Sequence, residues 1–100
     1  MTEPSLPALP PPRLPLGQLV ATPAAIAALA AADVSIFKLL NRHARGDWGD
    51  LSSEDLTLND LAAITGQRVL SSYLLGSGQK VWIITEWDRS VTTVLLPDDY

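Results

Sequence analysis

The sequence predicts an α+β domain: two to three N-terminal helices packed on one face of a C-terminal three-stranded antiparallel meander. Three observations carry this. Strand-forming residues are concentrated between positions 68 and 96. Helix start and stop signals punctuate residues 22–66. Six of the eight prolines lie within the first fifteen residues, which sets residues 1–15 apart as a proline-rich disordered leader and leaves 16–100 as one domain.

The meander reads from its turns. Residues 68–75, 80–87 and 91–96 are rich in Val, Ile, Thr, Trp and Leu, and Gly76-Ser77-Gly78 and Trp87-Asp88-Arg89-Ser90 separate the runs. Pro97 ends the last strand by removing a donor. A two-residue turn at Asp88-Arg89 puts Val81, Ile83, Thr85, Thr92, Val94 and Leu96 on one face. The other face then carries Trp82, Ile84, Glu86, Val91, Thr93 and Leu95. A four-residue loop shifts the pairing and exchanges the last strand's faces. Either way both faces hold large apolar groups, so the face away from the helices is expected to be covered by a terminal segment, a second copy or a partner.

Leu16 to Ala21 is a short apolar entry, either a strand or a staple before the first helix. Thr22 followed by Pro23 is a cap and first-turn pair, opening a helix that runs to about Ala31. Asp33 is expected to cap a second helix, Val34 to Arg45, stopped by Gly46. Its spacing sends Ile36, Phe37, Leu40 and Ala44 toward the sheet and Lys38, Arg42 and Arg45 toward solvent. In GDWGDL, Gly46 to Leu51, two glycines bracket Asp47-Trp48, and Trp48 is expected to plug the gap between the second and third helices, a ligand-stacking role being the alternative. Ser52 with Asp55 opens a third helix, with Leu56, Leu61 and Ile64 as its buried stripe and Gly66 at its end.

Net charge is −4 and unevenly distributed. Residues 1–46 hold four cations against two acids, while residues 47–100 hold nine acids against Arg68, Lys80 and Arg89. A phosphate-gripping protein shows a basic face, and only Lys38, Arg42 and Arg45 offer one, so nucleic-acid binding is disfavoured. There is no cysteine, which excludes disulfides and thiolate metal sites. Neither a signal peptide nor an eighteen-residue apolar run is apparent, and a cytoplasmic protein with no membrane partner is the expectation.

Chemistry-bearing patterns are sparse. His43, the single histidine, could join Asp47 and Glu86 as a base or metal ligand, but the spacing matches no known site, and its position reads as a surface histidine near a helix C-terminus. No metalloprotease, Walker, nucleophile-elbow or dinucleotide motif is present, and no cofactor or metal is expected. The PxxP spacing beside Arg13 superficially suits an SH3-type groove, with a plain leader as the simpler reading. The best candidate is a protein-binding surface: Trp82, Ile84 and Thr93 on the open face, with Glu86, Trp87, Asp88 and Arg89 as its polar rim and turn. Arg42, His43, Arg45, Asp47 and Trp48 form a secondary candidate.

Leu16-Gly17 with Val20-Ala21-Thr22-Pro23, Arg42-His43 with GDWGDL, Asn59-Asp60, and WIITEWDRSVTTVLLPDDY together resemble a family of small accessory proteins of bacterial plasmids and phages. The resemblance covers about residues 16–100. It implies a mobile-element context, in which a small acidic protein binds a host defence complex or a regulator, as an inhibitor or modulator of the anti-CRISPR or anti-restriction type. A non-enzymatic interaction module, binding a protein or a second copy, is therefore the leading expectation. The alternative is a small ribonuclease of the RelE-like toxin type, in which Arg89 and His43 would be needed.

Overall fold

The first helix begins as its chemistry dictates. The Thr22 hydroxyl accepts from the Ala25 amide at 3.1 Å, and Pro23 sits where an amide would have no partner. The computed structural model describes residues 14–100, and in it this helix, α1, spans Pro23–Ala31. The leader up to Arg13, with its PxxP spacing, lies outside the described residues. Leu14 already belongs to the core, 1% exposed, with its amide on Ala44 O at 3.1 Å.

Asp33 ends α1 rather than starting the next helix. Its φ is 55°, and the Val34 amide returns to Leu29 O at 3.0 Å, the closing bond of a Schellman turn. The second helix, α2, is accordingly Ile36–Ala44, shorter than expected. Its buried face is Leu39, Leu40, His43 and Ala44, and Phe37 is 70% exposed instead of facing the sheet. The face is rotated because His43 finds hydroxyl partners inside, so a polar residue occupies a core position that an apolar-only pattern leaves out.

The third helix, α3, spans Ser53–Thr65, capped by the Ser52 hydroxyl on the Asp55 amide and closed by Gly66 at φ 76°. Its inner side is Asn59, with Leu56, Ala62 and Ala63 partly buried. Leu61 and Ile64, expected in its buried stripe, stand 57% and 77% exposed. The cause is Asn59, which reaches the backbone at one edge of the sheet and so sets which side of α3 turns inward.

The sheet has four strands, not three: β1 Gln18–Ala21, β2 Val69–Leu74, β3 Lys80–Thr85 and β4 Val91–Leu95, in the order β1-β4-β3-β2. The meander is antiparallel as expected, whereas β1 adds to β4 in parallel, so the sheet is mixed. Four residues carry too little alternation to distinguish a strand from a staple. What makes β1 a strand is the open side of β4. Thr85 pairs with Thr92, the register read from the two-residue turn. One face, carrying Tyr73, Val81, Ile83 and Val94, packs on Ala25 and Leu29 of α1 and Leu39 and Leu40 of α2. Beside it Trp48 fills a second cluster with Leu14 and Val69, against Leu51, Leu56, Ala62 and Ala63. Among the described residues no single helix is long and apolar enough to cross a membrane.

Candidate functional site

The face away from α1 and α2 is partly roofed by the chain's own C-terminus. After the single 3₁₀ turn Pro97–Asp99, Tyr100 packs edge-on against Trp82 with ring centroids 6.0 Å apart. The Arg68 guanidinium lies 5.2 Å from the Tyr100 ring centroid and donates to its hydroxyl at 2.7 Å, while also meeting Glu86 at 3.6 Å. Ile84 is only 2% exposed, and Trp82, Glu86 and Thr93 are half-buried. Of the residues expected on this face, Ile84 is therefore core, and Trp82 is shared between the sheet and Tyr100.

The β3–β4 turn separates the rest. Trp87 projects from it, 66% exposed. Asp88 accepts from the Ser90 hydroxyl at 2.6 Å and amide at 3.1 Å, which holds its carboxyl below the usual range and shapes the turn. Arg89, at φ 61°, turns back on the molecule. Its guanidinium donates to Gln67 O at 2.7 Å, Ala62 O at 3.0 Å, Glu86 O at 3.2 Å and Ala63 O at 3.5 Å. The cation thus satisfies carbonyls at the C-terminal end of α3, where the helix dipole favours it. Arg89 is a clamp between turn and helix.

The GDWGDL loop covers the outer edge of β2. The Ser72 amide donates to Trp48 O at 3.1 Å, the Asp50 amide to Ser72 O at 2.6 Å, and the Leu74 amide to Asp50 Oδ2 at 2.8 Å. Asn59 completes the edge, donating to Leu70 O at 2.5 Å and accepting from the Leu70 amide at 3.4 Å. Gly49, at φ 78°, is required by the approach: a Cβ there would collide with Ser72 O and the Tyr73 ring. Asp47 anchors the loop through two bonds from Arg42, at 2.6 and 3.2 Å, which hold the carboxyl low and the guanidinium high. Arg42 also lies 4.7 Å over the ring of Tyr73, whose hydroxyl donates to Asp47 O at 2.6 Å. Trp48 is the expected plug, 2% exposed, with its indole N–H on Asp60 at 3.0 Å. Arg45 donates to Asn41 at 3.1 Å.

His43 is fully buried, not a surface residue. Its ring joins a chain of hydroxyls whose direction can be worked out from its far end. Thr92 Oγ1 donates to Leu16 O at 2.7 Å, so it accepts from Thr85 Oγ1 at 2.7 Å. Thr85 in turn accepts from His43 Nε2 at 2.8 Å, which leaves Nδ1 to accept from Ser71 at 2.5 Å. Every polar atom is used and the imidazole is neutral. Burial, with Arg89 adding repulsion, lowers its pKa to about 4. Sequence pattern missed this set because Ser71, Thr85 and Thr92 come from three strands and are adjacent only once the sheet forms.

His43 is not presented to a solution ligand in this arrangement, the Arg89 guanidinium is engaged by four carbonyls, and no group of three acidic or histidine side chains able to hold a metal occurs among the described residues. Large exposed apolar side chains lie elsewhere. Leu58, Leu61 and Ile64 line the outside of α3, and Leu19, Val20, Ile26 and Phe37 cluster around β1 and the first two helices. No protein-family model, curated protein or solved structure matches the chain.

Proposed function

We propose that the chain is a non-enzymatic protein-interaction module, docking through the end of the molecule where α3 and the β3–β4 turn meet. One observation carries this: Leu58, Leu61 and Ile64 are 56%, 57% and 77% exposed on a helix already held in place by Asn59 and Arg89. Three large apolar residues stand mostly exposed on an outward helix face, and contiguous exposed apolar surface of this kind marks a binding site. Arg89 ties that helix to the turn carrying Trp87, so an aromatic anchor and an aliphatic stripe sit on two rigidly joined elements, with Asp88 at the rim.

The sequence resemblance to plasmid and phage accessory proteins supports a partner in a host defence system. The acidic balance of residues 47–100 suits one whose face is basic. Affinity capture from the native bacterial host is the test. A protein recovered with the natural chain should be lost with L61S/I64S and with W87A, while circular dichroism stays unchanged. Recovery of the same proteins with all three chains would overturn the reading.

A further inference from the structure

The two edges of the sheet are treated differently. Along β2 every outward-pointing group named above has a partner from the GDWGDL loop or Asn59. Along β1 none is supplied among the described residues. The Gln18 amide donates to Ser90 O at 3.0 Å and the Thr22 amide to Val94 O at 2.9 Å, so the even-numbered positions face β4. By the alternation of a parallel ladder, Leu19 and Ala21 point their N–H and C=O groups outward, and among the described residues no strand lies beyond them. The edge carries none of the usual protection: Gln18–Ala21 has no charge, no proline and no bulge. Leu19 is 48% exposed, Val20 43% and Phe37 70%, and a groove of about 230 Å³ beside the strand is lined by Leu19, Ala21, Ile36, Phe37 and Leu40.

We propose that this edge pairs with the same edge of a second copy, β1 antiparallel to β1 about a two-fold axis through Val20, giving one continuous eight-stranded sheet. The strand is self-complementary in that arrangement. Leu19 of each copy meets Ala21 of the other as a hydrogen-bonded pair, so all four outward donors and acceptors on each strand edge are satisfied. The two Val20 side chains meet on the axis, and each copy's Phe37 and Leu19 lie along the other's groove. An uncharged seam lets two chains of net charge −4 approach without like charges in contact. Leu19, Val20, Ile26 and Phe37 offer on the order of 400 Å² of apolar area, about half of the roughly 800 Å² that each partner of a standard complex buries. The backbone and the flanking polar surface supply the remainder of a modest, concentration-dependent dimer. The chain's own residues 1–13 are poor strand partners, because prolines at 4, 7, 10, 11 and 12 interrupt any run of amide donors.

The absence of cysteine makes the register directly testable. In the full chain, V20C should form a disulfide-linked dimer on mild oxidation, at least ten-fold faster than K80C, with native circular dichroism. Sedimentation of the natural chain should show a shift from 10.7 kDa toward twice that mass with rising concentration. V20K, placing two ammonium groups on the axis, should weaken the dimer at least ten-fold without unfolding it. L61S/I64S should leave it intact, which separates this result from the fate of the docking surface on α3. A chain that stays monomeric to millimolar concentration, a dimer indifferent to V20K, or equal cross-linking of V20C and K80C overturns the proposal.

Discussion

A proton on His43 has nowhere favourable to go. The imidazole is completely buried, both nitrogens are engaged by hydroxyls, and its pKa falls from 6.5 to about 4 through desolvation, with Arg89 adding to it. The unfolded chain therefore binds this proton at a pH where the native chain refuses it. Stability from this residue is complete above about pH 6.5 and lost as pH falls toward 4, by about 3 kcal/mol in all. Urea midpoints measured between pH 7 and 4.5 should fall accordingly, and a folded H43Q variant should flatten that segment. Asp47, Asp88 and Asp99 are held below 3.8, so their contributions disappear at lower pH and stay separable. Asn59 is the other decisive single residue. N59A leaves both backbone groups of Leu70 without their partner and should cost about 1–3 kcal/mol. Amide exchange at Leu70 should accelerate more than at Ile83, whose strand is interior.

At the scale of elements, the edge cover of β2 and the clamp on α3 are what turn a meander plus helices into one body. G49A forces a Cβ into Ser72 O and the Tyr73 ring at a positive φ, so the loop must lift off β2. A loss of about 2–4 kcal/mol is expected by thermal or urea denaturation, with the amides of Ser72 and Leu74 losing protection first. R89A removes the guanidinium's bonds to the Ala62, Ala63, Gln67 and Glu86 carbonyls and should cost about 2 kcal/mol, fraying the last turn of α3. R89K should recover only part, since one ammonium cannot reproduce a planar fork that spans these carbonyls. Hydrogen exchange across residues 60–66 is the measurement.

For the whole molecule, the distribution of apolar side chains separates what holds the fold from what faces outward. I83A, at a fully buried site between α1, α2 and the sheet, should cost about 2–5 kcal/mol. L61S, at a 57% exposed site, should change stability by less than about 0.5 kcal/mol and raise solubility. Had Leu61 belonged to the buried stripe that its spacing suggests, the two would behave alike. Parallel denaturation of the two variants decides it.

Local chemistry read from the chain was sufficient for a particular set of features: the Thr22–Pro23 start and Ser52 cap, the Gly66 stop, and the antiparallel meander with its two turns. Each depends on residues within a few positions of one another or on strict alternation, so sequence alone determined them. What the tertiary structure decided are the choices made by distant partners. Strand β1 exists because β4 had an unfilled edge 73 residues further along the chain. His43 went inward because two strands brought a hydroxyl to each of its ring nitrogens, and α3 turned its leucines outward because Asn59 was needed at the edge of β2. A buried polar group must be matched donor to acceptor. That requirement overrode hydrophobic spacing wherever the two disagreed.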